Sequence, residues 1–550
     1  MKNTKRLLIV GGVAGGASCA ARARRLSEEA EIILFDRGPF VSFANCGLPY
    51  YVGNVIKDEK NLLVATSELF RDRFNIQVRT ESDVLAIDRA NQKIQVKDLR
   101  SGNTSWESYD SLVLSPGAAP IRPPLPGIDL PGIFALRTIP DSRHIRQWIS
   151  EKKAKDAVIV GGGFIGLEMA ENLSNCCDIH ISILEMQPQV LPPFDAEMVS
   201  WLHDYLRSKN VSLYLGDALT GFEAARDGKI SVLSKSGLKL KTDLVILSIG
   251  VKPETHLAKD CGLEIGERGG IRVDEHMRTS DLKIWAVGDV VEKKDFLTGE
   301  WTTVPLAGPA NRQGRIAADN IFGRDSKFRG VQGTAVCKVF DQVAALTGVS
   351  EKTLRRIGKP YEKVYLHPGH HAGYYPNAKP IHLKLLFSPE NGKVLGAQAV
   401  GEEGIEKRID VIAMAIQMHA TVFDLEEAEL SYAPQFGAAK DPVNIAGMIA
   451  ANSIRGDAPL AQWDQVDSKQ NFLLDVRNPE EYKKDGIPGV LNIPLNQLRS
   501  EIKRLPKDRV IYIYCGVGQR AYYATRMLRS NGFDARNISG GIQTYNSRRV

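Results

Sequence analysis

Two cysteines sit in segments whose neighbours would make sulfur reactive. One closes Ser42-Phe-Ala-Asn-Cys46 and is followed by Gly-Leu-Pro-Tyr50; the other opens Cys515-Gly-Val-Gly-Gln-Arg520. A thiolate at neutral pH needs N–H donors or a nearby cation. The second loop, which follows the apolar strand Val510-Ile-Tyr-Ile-Tyr514, offers backbone donors and Arg520. The alternative is a buried, inert cysteine, but Asn, Gly and Pro around Cys46 and Gly, Gln and Arg around Cys515 do not read as core. Such a pair could move electrons and sulfur.

The elements expected to position Cys46 begin with a glycine turn. Leu7-Leu-Ile-Val-Gly11-Gly12-Val13-Ala14-Gly15-Gly16 and Ala157-Val-Ile-Val-Gly161-Gly-Gly163-Phe164-Ile165-Gly166 are each an apolar strand, a turn and the start of a helix. Each leads to a second strand ending in an acid, Asp36 (followed by Arg37) or Glu185. This is the dinucleotide fingerprint twice: glycines let a pyrophosphate approach the helix N-terminus, and the acid binds ribose hydroxyls. In the first copy Val13 replaces the middle glycine. Met186-Gln-Pro-Gln189 after Glu185 brings no cation for a 2′-phosphate, so the second copy is expected to take NADH rather than NADPH.

Length and composition bound the rest. At 550 residues the chain has room for three or four domains, and 43% apolar with 25% charged residues is ordinary for a globular protein. A scattered net charge of +6 does not indicate nucleic-acid binding. The start, Met1-Lys-Asn-Thr-Lys-Arg6 before Leu7, superficially resembles a secretion leader, but its glycine spacing and later arginines favour a folded nucleotide turn. No run reaches the roughly 18 apolar residues of a membrane span, and seven cysteines without regular spacing form neither a disulfide framework nor a metal site. A cytoplasmic protein with reduced thiols is expected. Cys19 and Cys337 lie in apolar patterns and are read as core, and His370 and His371 as structural.

Farther along, Ser111-Leu-Val-Leu-Ser115-Pro116-Gly117 and Asp243-Leu-Val-Ile-Leu-Ser-Ile-Gly250 look like chain crossings, and Ile284-Trp-Ala-Val-Gly288-Asp289 puts an acid after a buried strand. Together with the two turns, this arrangement resembles the flavoprotein disulfide reductases over roughly residues 1 to 450. The resemblance implies FAD in a first domain (1–117 and 248–325), with Gly288 and Asp289 at its ribityl and phosphate portion. It also implies a nicotinamide dinucleotide in an inserted domain (118–247). Alternating strands at Val331–Phe340 and Ile381–Phe387 and the apolar helix Ile409–Met418 suit an α+β dimerisation domain (326–451), hence a homodimer; a polar linker (452–464) follows.

Paired-cysteine reductases place two thiols on one helix, yet no cysteine neighbours Cys46. Its peptide resembles the single-cysteine branch that contains coenzyme A-disulfide reductases, persulfide reductases, NADH oxidases and NADH peroxidases. Within that branch, Ser18, Arg22 and Arg25, at i, i+4 and i+7 on one helix face, discriminate. A solvated charged face is one reading of them; the other, implied by the resemblance, is a coenzyme A site completed by Ser42, Asn45 and Arg73, since arginine forks suit phosphates. Tyr374 and Tyr432 match the pair that coenzyme A-disulfide reductases direct at the cysteine from the partner subunit, with aromatic interface packing as the alternative. Asn311 and Lys440 are further expected substrate contacts.

Asp475-Val-Arg477, Gly486-Ile-Pro-Gly-Val-Leu-Asn492, the Cys515–Arg520 loop and Ser539-Gly-Gly541 resemble, in order, the rhodanese sulfurtransferase α/β domain (465–550). That resemblance implies a Cys515 persulfide, stabilised by loop N–H groups with Arg520 adding charge. Where many rhodaneses have Gly-His-Ile, this chain has Asp485-Gly-Ile487. The expected whole is an α/β protein with two Rossmann-like domains, a dimerisation domain and a rhodanese domain. It would be an NADH- and FAD-dependent reductase of coenzyme A disulfide, persulfide or other small sulfur substrates, without nucleic acid, membrane or metal. The alternatives are an NADH oxidase or peroxidase cycling Cys46 through a sulfenic acid, and a non-catalytic flavoprotein signalling module.

Overall fold

The run Leu7-Leu-Ile-Val10 is apolar on both faces of a strand, which suits the centre of a parallel sheet covered on both sides. In the computed structural model, which describes residues 5–548, it takes that place. Arg6–Val10 lies between Glu31–Phe35 and Ser111–Leu114 in a five-stranded parallel sheet, with Leu7 opposite Ile32 and Ser111. Ile284–Ala286 and Gln77–Arg79 form the edges. The charged start, Met1–Thr4, of the leader-like stretch lies outside the described residues.

The chain divides into two compact units: residues up to Pro188 with Asn210–Val331, and Gln189–Lys209 with the chain from Gln332 onward. The first unit holds both nucleotide-type sheets. Its second sheet has the order Val211–Leu215, His180–Glu185, Asp156–Val160, Leu244–Leu247, Ile133–Phe134, all parallel. The segments that directly follow the two expected crossings pair with each other, Ala118–Pro120 running antiparallel to Val251–Pro253.

The second unit is built on an antiparallel sheet ordered Ala335–Val339, Gln342–Gly348, Val394–Gly401, Ile381–Phe387, Glu362–Leu366. All seven residues of Ile381–Phe387 are buried, His382 and Lys384 included. The segment Gln189–Lys209 explains this burial: Trp201 stacks on His382 with ring centres 4.0 Å apart, and Asp195 and Glu197 reach the Lys384 ammonium at 2.9 and 2.5 Å. Glu351 completes the trio at 2.5 Å. These carboxylates form the one candidate cation cluster among the described residues, and Lys384 sits among them.

The C-terminal α/β portion has a parallel sheet ordered Leu460–Ala461, Ala535–Ile538, Ile511–Tyr514, Phe472–Asp475, Leu491–Asn492. It is tied to the antiparallel sheet through Lys363, which bonds Asp464 at 3.1 Å, and through the Tyr365 N–H, which donates to Ser539 Oγ at 2.8 Å. No helix among the described residues is long and apolar enough to cross a membrane.

Candidate active sites

Each glycine turn is closed by its backbone and by one serine. Gly11 stands at φ +93° and Gly161 at φ +105°, and a Cβ on either would fall 2.2 or 2.4 Å from the carbonyl oxygen of Ser115 or Ser248. Those serines hold the turns: Ser115 Oγ donates to Gly11 O at 2.7 Å and Ser248 Oγ to Gly161 O at 2.9 Å. Ser248 was not singled out from sequence, although it occupies the place in the second copy that Ser115 holds in the first.

The cradles fit dinucleotides. The helices Gly15–Leu26 and Phe164–Cys177 begin at Ala14 and Gly163 without a side-chain cap or an acid in the first turn, so their initial N–H groups face outward as phosphate donors. Asp36 Oδ2 accepts from the Gly12 N–H at 2.8 Å, and Glu185 Oε2 accepts from the Gly162 N–H at 2.7 Å. Glu185 Oε1 takes the Gln187 N–H at 2.7 Å. Each Glu185 oxygen therefore keeps a lone pair for a ribose hydroxyl. At the first cradle, Asp289 Oδ1 and Gln313 Nε2 are buried without a hydrogen-bond partner, while Gln313 Oε1 accepts from the Gly288 N–H at 2.8 Å. Two orphaned polar atoms beside Gly288 are what a polar chain such as a ribityl group would satisfy. Val13 lies in its turn, while Ile165 is the second residue of the helix Phe164–Cys177 and is exposed. Arg37 turns instead to Glu254, 3.2 Å away, which Arg137 also holds at 2.6 Å while donating to Pro116 O at 2.8 Å.

Cys46 rides on the short turn Asn45–Gly47 that feeds the helix Leu48–Val52. Ser42, at φ +48°, fixes the approach: its N–H donates to Gly12 O and its carbonyl accepts from Val64 N, both at 2.8 Å. Asn45 Nδ2 donates to Arg137 O at 3.1 Å. Cys46 is exposed, yet surrounding protein still pushes its thiol up by desolvation, reinforced by Glu168 and Asp289. Glu168, on the helix after the second glycine turn, has its own carboxyl raised to about 7 by burial, against the opposing hydrogen bond from Tyr50. It escaped the sequence reading because its influence on Cys46 crosses from one sheet-and-helix layer to another.

The expected substrate residues are partly brought together. Ser18 Oγ donates to Asn311 Oδ1, joining two of them. Arg22 is ion-paired with Asp319 at 2.7 Å, Arg25 is exposed, and Arg73 is exposed at the end of the helix Ser67–Phe74. The next arginine, Arg24, is buried and donates to Phe74 O and Ala30 O, each at 2.8 Å, a structural clamp. In the second unit Tyr374 and Tyr432 join hydroxyls at 2.5 Å, and Lys440 is exposed. Cys19, Cys337, His370 and His371 are buried.

At the other cysteine the structure corrects the reading that its surroundings are not core: Cys515 packs in an apolar cluster with Ile513, Ala521 and Ala524. Cys515 is buried, and its Sγ accepts the Gly518 N–H at 3.2 Å. The residue follows the strand Ile511–Tyr514, and the helix Gly541–Ser547 packs so close to it that a Cβ on Gly541 would lie 2.4 Å from Cys515 O. Arg520 lies close enough to interact with this sulfur, but it shares its charge with a carboxylate. Both its terminal nitrogens are taken by Glu481, at 2.7 and 2.6 Å.

Residues 5–314 match the pyridine nucleotide-disulphide oxidoreductase model, residues 334–441 its dimerisation domain and residues 460–548 a rhodanese-like domain. The chain belongs to the pyridine nucleotide-disulphide oxidoreductase family. A solved structure of reduced Bacillus anthracis CoADR-RHD is 47% identical, covering 99% of this chain and 98% of that one with a TM-score of 0.97. An NAD-dependent persulfide reductase from A. fulgidus is 36% identical over 98% of this chain and 100% of its own, with a TM-score of 0.91. The coenzyme A disulfide reductase of Staphylococcus haemolyticus is 34% identical over 444 residues, 80% of this chain and 98% of that protein. As a member of this oxidoreductase family with a rhodanese-like extension, the chain has the two-Rossmann, dimerisation and α/β architecture expected from sequence.

Proposed function

We propose that this protein is an NADH-linked, FAD-dependent reductase of coenzyme A disulfide and small persulfides, joined to a rhodanese sulfurtransferase and working as a cytoplasmic homodimer. The exposed Cys46 on its glycine-anchored turn, without a neighbouring cysteine, carries the reading. Relatives named for coenzyme A disulfide and persulfide reduction support it.

The residues divide the work. FAD and NADH, when bound, supply the two electrons that sulfur receives. Gly11 to Gly16, Asp36, Ser115 to Gly117, Gly288 and Asp289 would hold the first; Gly161, Gly163 to Gly166, Glu185 and Gly250 would hold the second. Cys46, as a thiolate, attacks one sulfur of the substrate: its Sγ–S bond forms, the substrate S–S bond breaks, and a thiolate or HS⁻ leaves with the bonding pair. Two electrons then cleave the mixed disulfide, and a proton goes to the departing coenzyme A thiolate. Ser18, Arg22, Arg25, Ser42, Asn45, Arg73 and Asn311 would seat the coenzyme A portion. Tyr374 and Tyr432 would donate to the leaving sulfur from the partner subunit, a role phenols can fill.

Cys46→Ser tests this directly. It is expected to retain FAD and lose NADH-dependent reduction of both disulfide and persulfide. Appreciable persulfide turnover by that variant would overturn the mechanism, and oxygen or peroxide turnover by the parent without sulfur substrates would favour a sulfenic-acid cycle.

A further inference from the structure

The charges around Cys515 are arranged against a doubly charged donor. The loop Cys515–Arg520 carries one cation, Arg520, and a Cβ on Gly516 would lie 3.5 Å from its Nη2, so the guanidinium arches over the sulfur-binding loop. Glu481 grips it with both oxygens, at 2.7 and 2.6 Å, and is itself fixed by the Asn478 N–H, 3.0 Å from Oε2. Arg520 holds the Glu481 carboxyl down at about 2, so the clamp is ionised throughout the physiological range. A bidentate carboxylate occupies the same fork that would otherwise receive an oxyanion.

The second arginine of the site is no freer. Arg477 is buried; its Nη2 donates to Asp475 Oδ2 at 2.8 Å and its Nη1 to Asp485 Oδ1 at 2.5 Å. Asp485 is one of the two residues, with Gly486, at which this chain departs from the common Gly-His-Ile pattern. These contacts set two guanidiniums, Arg477 and Arg520, against three carboxylates, Asp475, Glu481 and Asp485. The sulfur itself meets the Gly518 N–H at 3.2 Å and an Arg520 whose charge Glu481 offsets, a setting that suits a transferred sulfane sulfur better than a dianionic group.

We propose that Glu481 is a specificity-determining residue: by clamping Arg520 it turns the Cys515 site away from dianionic inorganic donors of the thiosulfate type and toward organic persulfides. The inference rests on the sulfurtransferase reading of Cys515. In the favoured transfer the Cys515 thiolate attacks the terminal sulfur of R–S–S⁻, its Sγ–S bond forms, the donor S–S bond breaks and RS⁻ leaves with the bonding pair. With thiosulfate the same attack expels sulfite. Neither step needs an external oxidant or reductant.

The test uses the full-length protein without NADH and follows gain of one sulfur on Cys515 by mass spectrometry, with glutathione persulfide or thiosulfate as donor. The parent is expected to load faster from the persulfide. Glu481→Gln keeps the side-chain length and an acceptor for the Asn478 N–H while removing the charge, and is expected to raise the thiosulfate-to-persulfide rate ratio by about tenfold or more. A merely structural role would slow both donors alike. Asp485→Asn, on a carboxylate with 40% of its side chain exposed, is expected to move the ratio the same way by less and stands in if the first variant is unfolded. Loading from both donors with an unmoved ratio would overturn the role of Glu481 alone. No loading from either donor would overturn the sulfurtransferase reading and the proposal with it.

Discussion

Tyr374 and Tyr432, 58 positions apart in sequence, meet hydroxyl to hydroxyl at 2.5 Å while the residues remain 75% and 46% exposed. Phe436, 69% exposed, and Tyr375, 42% exposed, lie in the same two segments. Exposed aromatics at this density are of the kind that interfaces use, and the two tyrosines lie within the match to a dimerisation domain, residues 334–441. If the phenols serve the partner's Cys46, heterodimers of Cys46→Ser subunits with Tyr374→Phe/Tyr432→Phe subunits will recover activity that neither homodimer has. Absence of recovery despite demonstrated subunit exchange would rule out donation in trans.

Nicotinamide selectivity should rest on Glu185. Its two oxygens are already held by the Gly162 and Gln187 N–H groups, each at 2.7 Å, so the carboxylate cannot swing away from an incoming 2′-phosphate. A like-charge contact in a buried site costs a few kcal/mol, which at about 1.4 kcal/mol per tenfold is roughly a hundredfold in kcat/KM for NADH over NADPH. Steady-state kinetics with both cofactors will show this preference in the parent and its collapse in Glu185→Ala. Equal preferences in the two proteins would show that another residue selects.

Much of this site is legible in the chain because backbone geometry demands particular residues. Gly11 and Gly161 adopt left-handed turns against carbonyl oxygens that no side chain could approach, and the acids Asp36 and Glu185 close those turns by accepting N–H bonds 24 and 23 positions back. Other features leave no local trace. The alternation in Ile381–Phe387 marks a strand, but only the tertiary structure shows that Trp201 and Asp195, from a distant segment, cover its polar residues. Arg520 reads as an unshared cation beside the sulfur until Glu481, 39 positions earlier, is seen to hold it too. Charges paired across the fold have no sequence period to betray them.

Lys384 should be indispensable to the second unit. Fully buried, it faces Asp195, Glu197 and Glu351, all at 2.5–2.9 Å. Lys384→Met would leave these carboxylates with much of their compensation gone, and breaking a buried ion pair from one side costs about 3–5 kcal/mol. A drop in Tm is therefore expected in thermal unfolding of the holoprotein. A Tm within a degree or so of the parent's would mean that neighbouring Lys363, 2.8 Å from Glu351, balances the cluster unaided.

Glu168 gives the Cys46 site a pH dependence whose sign can be worked out. Burial raises its carboxyl from the ordinary 4.5 to about 7. Because the folded value lies above the unfolded one, the neutral acid favours the folded state. This contribution is fully present below about pH 4.5 and is lost as pH rises through 7. Glu168→Gln should therefore raise Tm relative to the parent at pH 8 and leave the difference small at pH 5. The same charge disfavours the Cys46 thiolate, so alkylation of Cys46 by iodoacetamide should be faster in the variant at pH 8. Near pH 5, where Glu168 is neutral in the parent, the two proteins should react alike. Equal alkylation rates at both pH values would show that Glu168 does not govern the thiol, whatever its effect on stability.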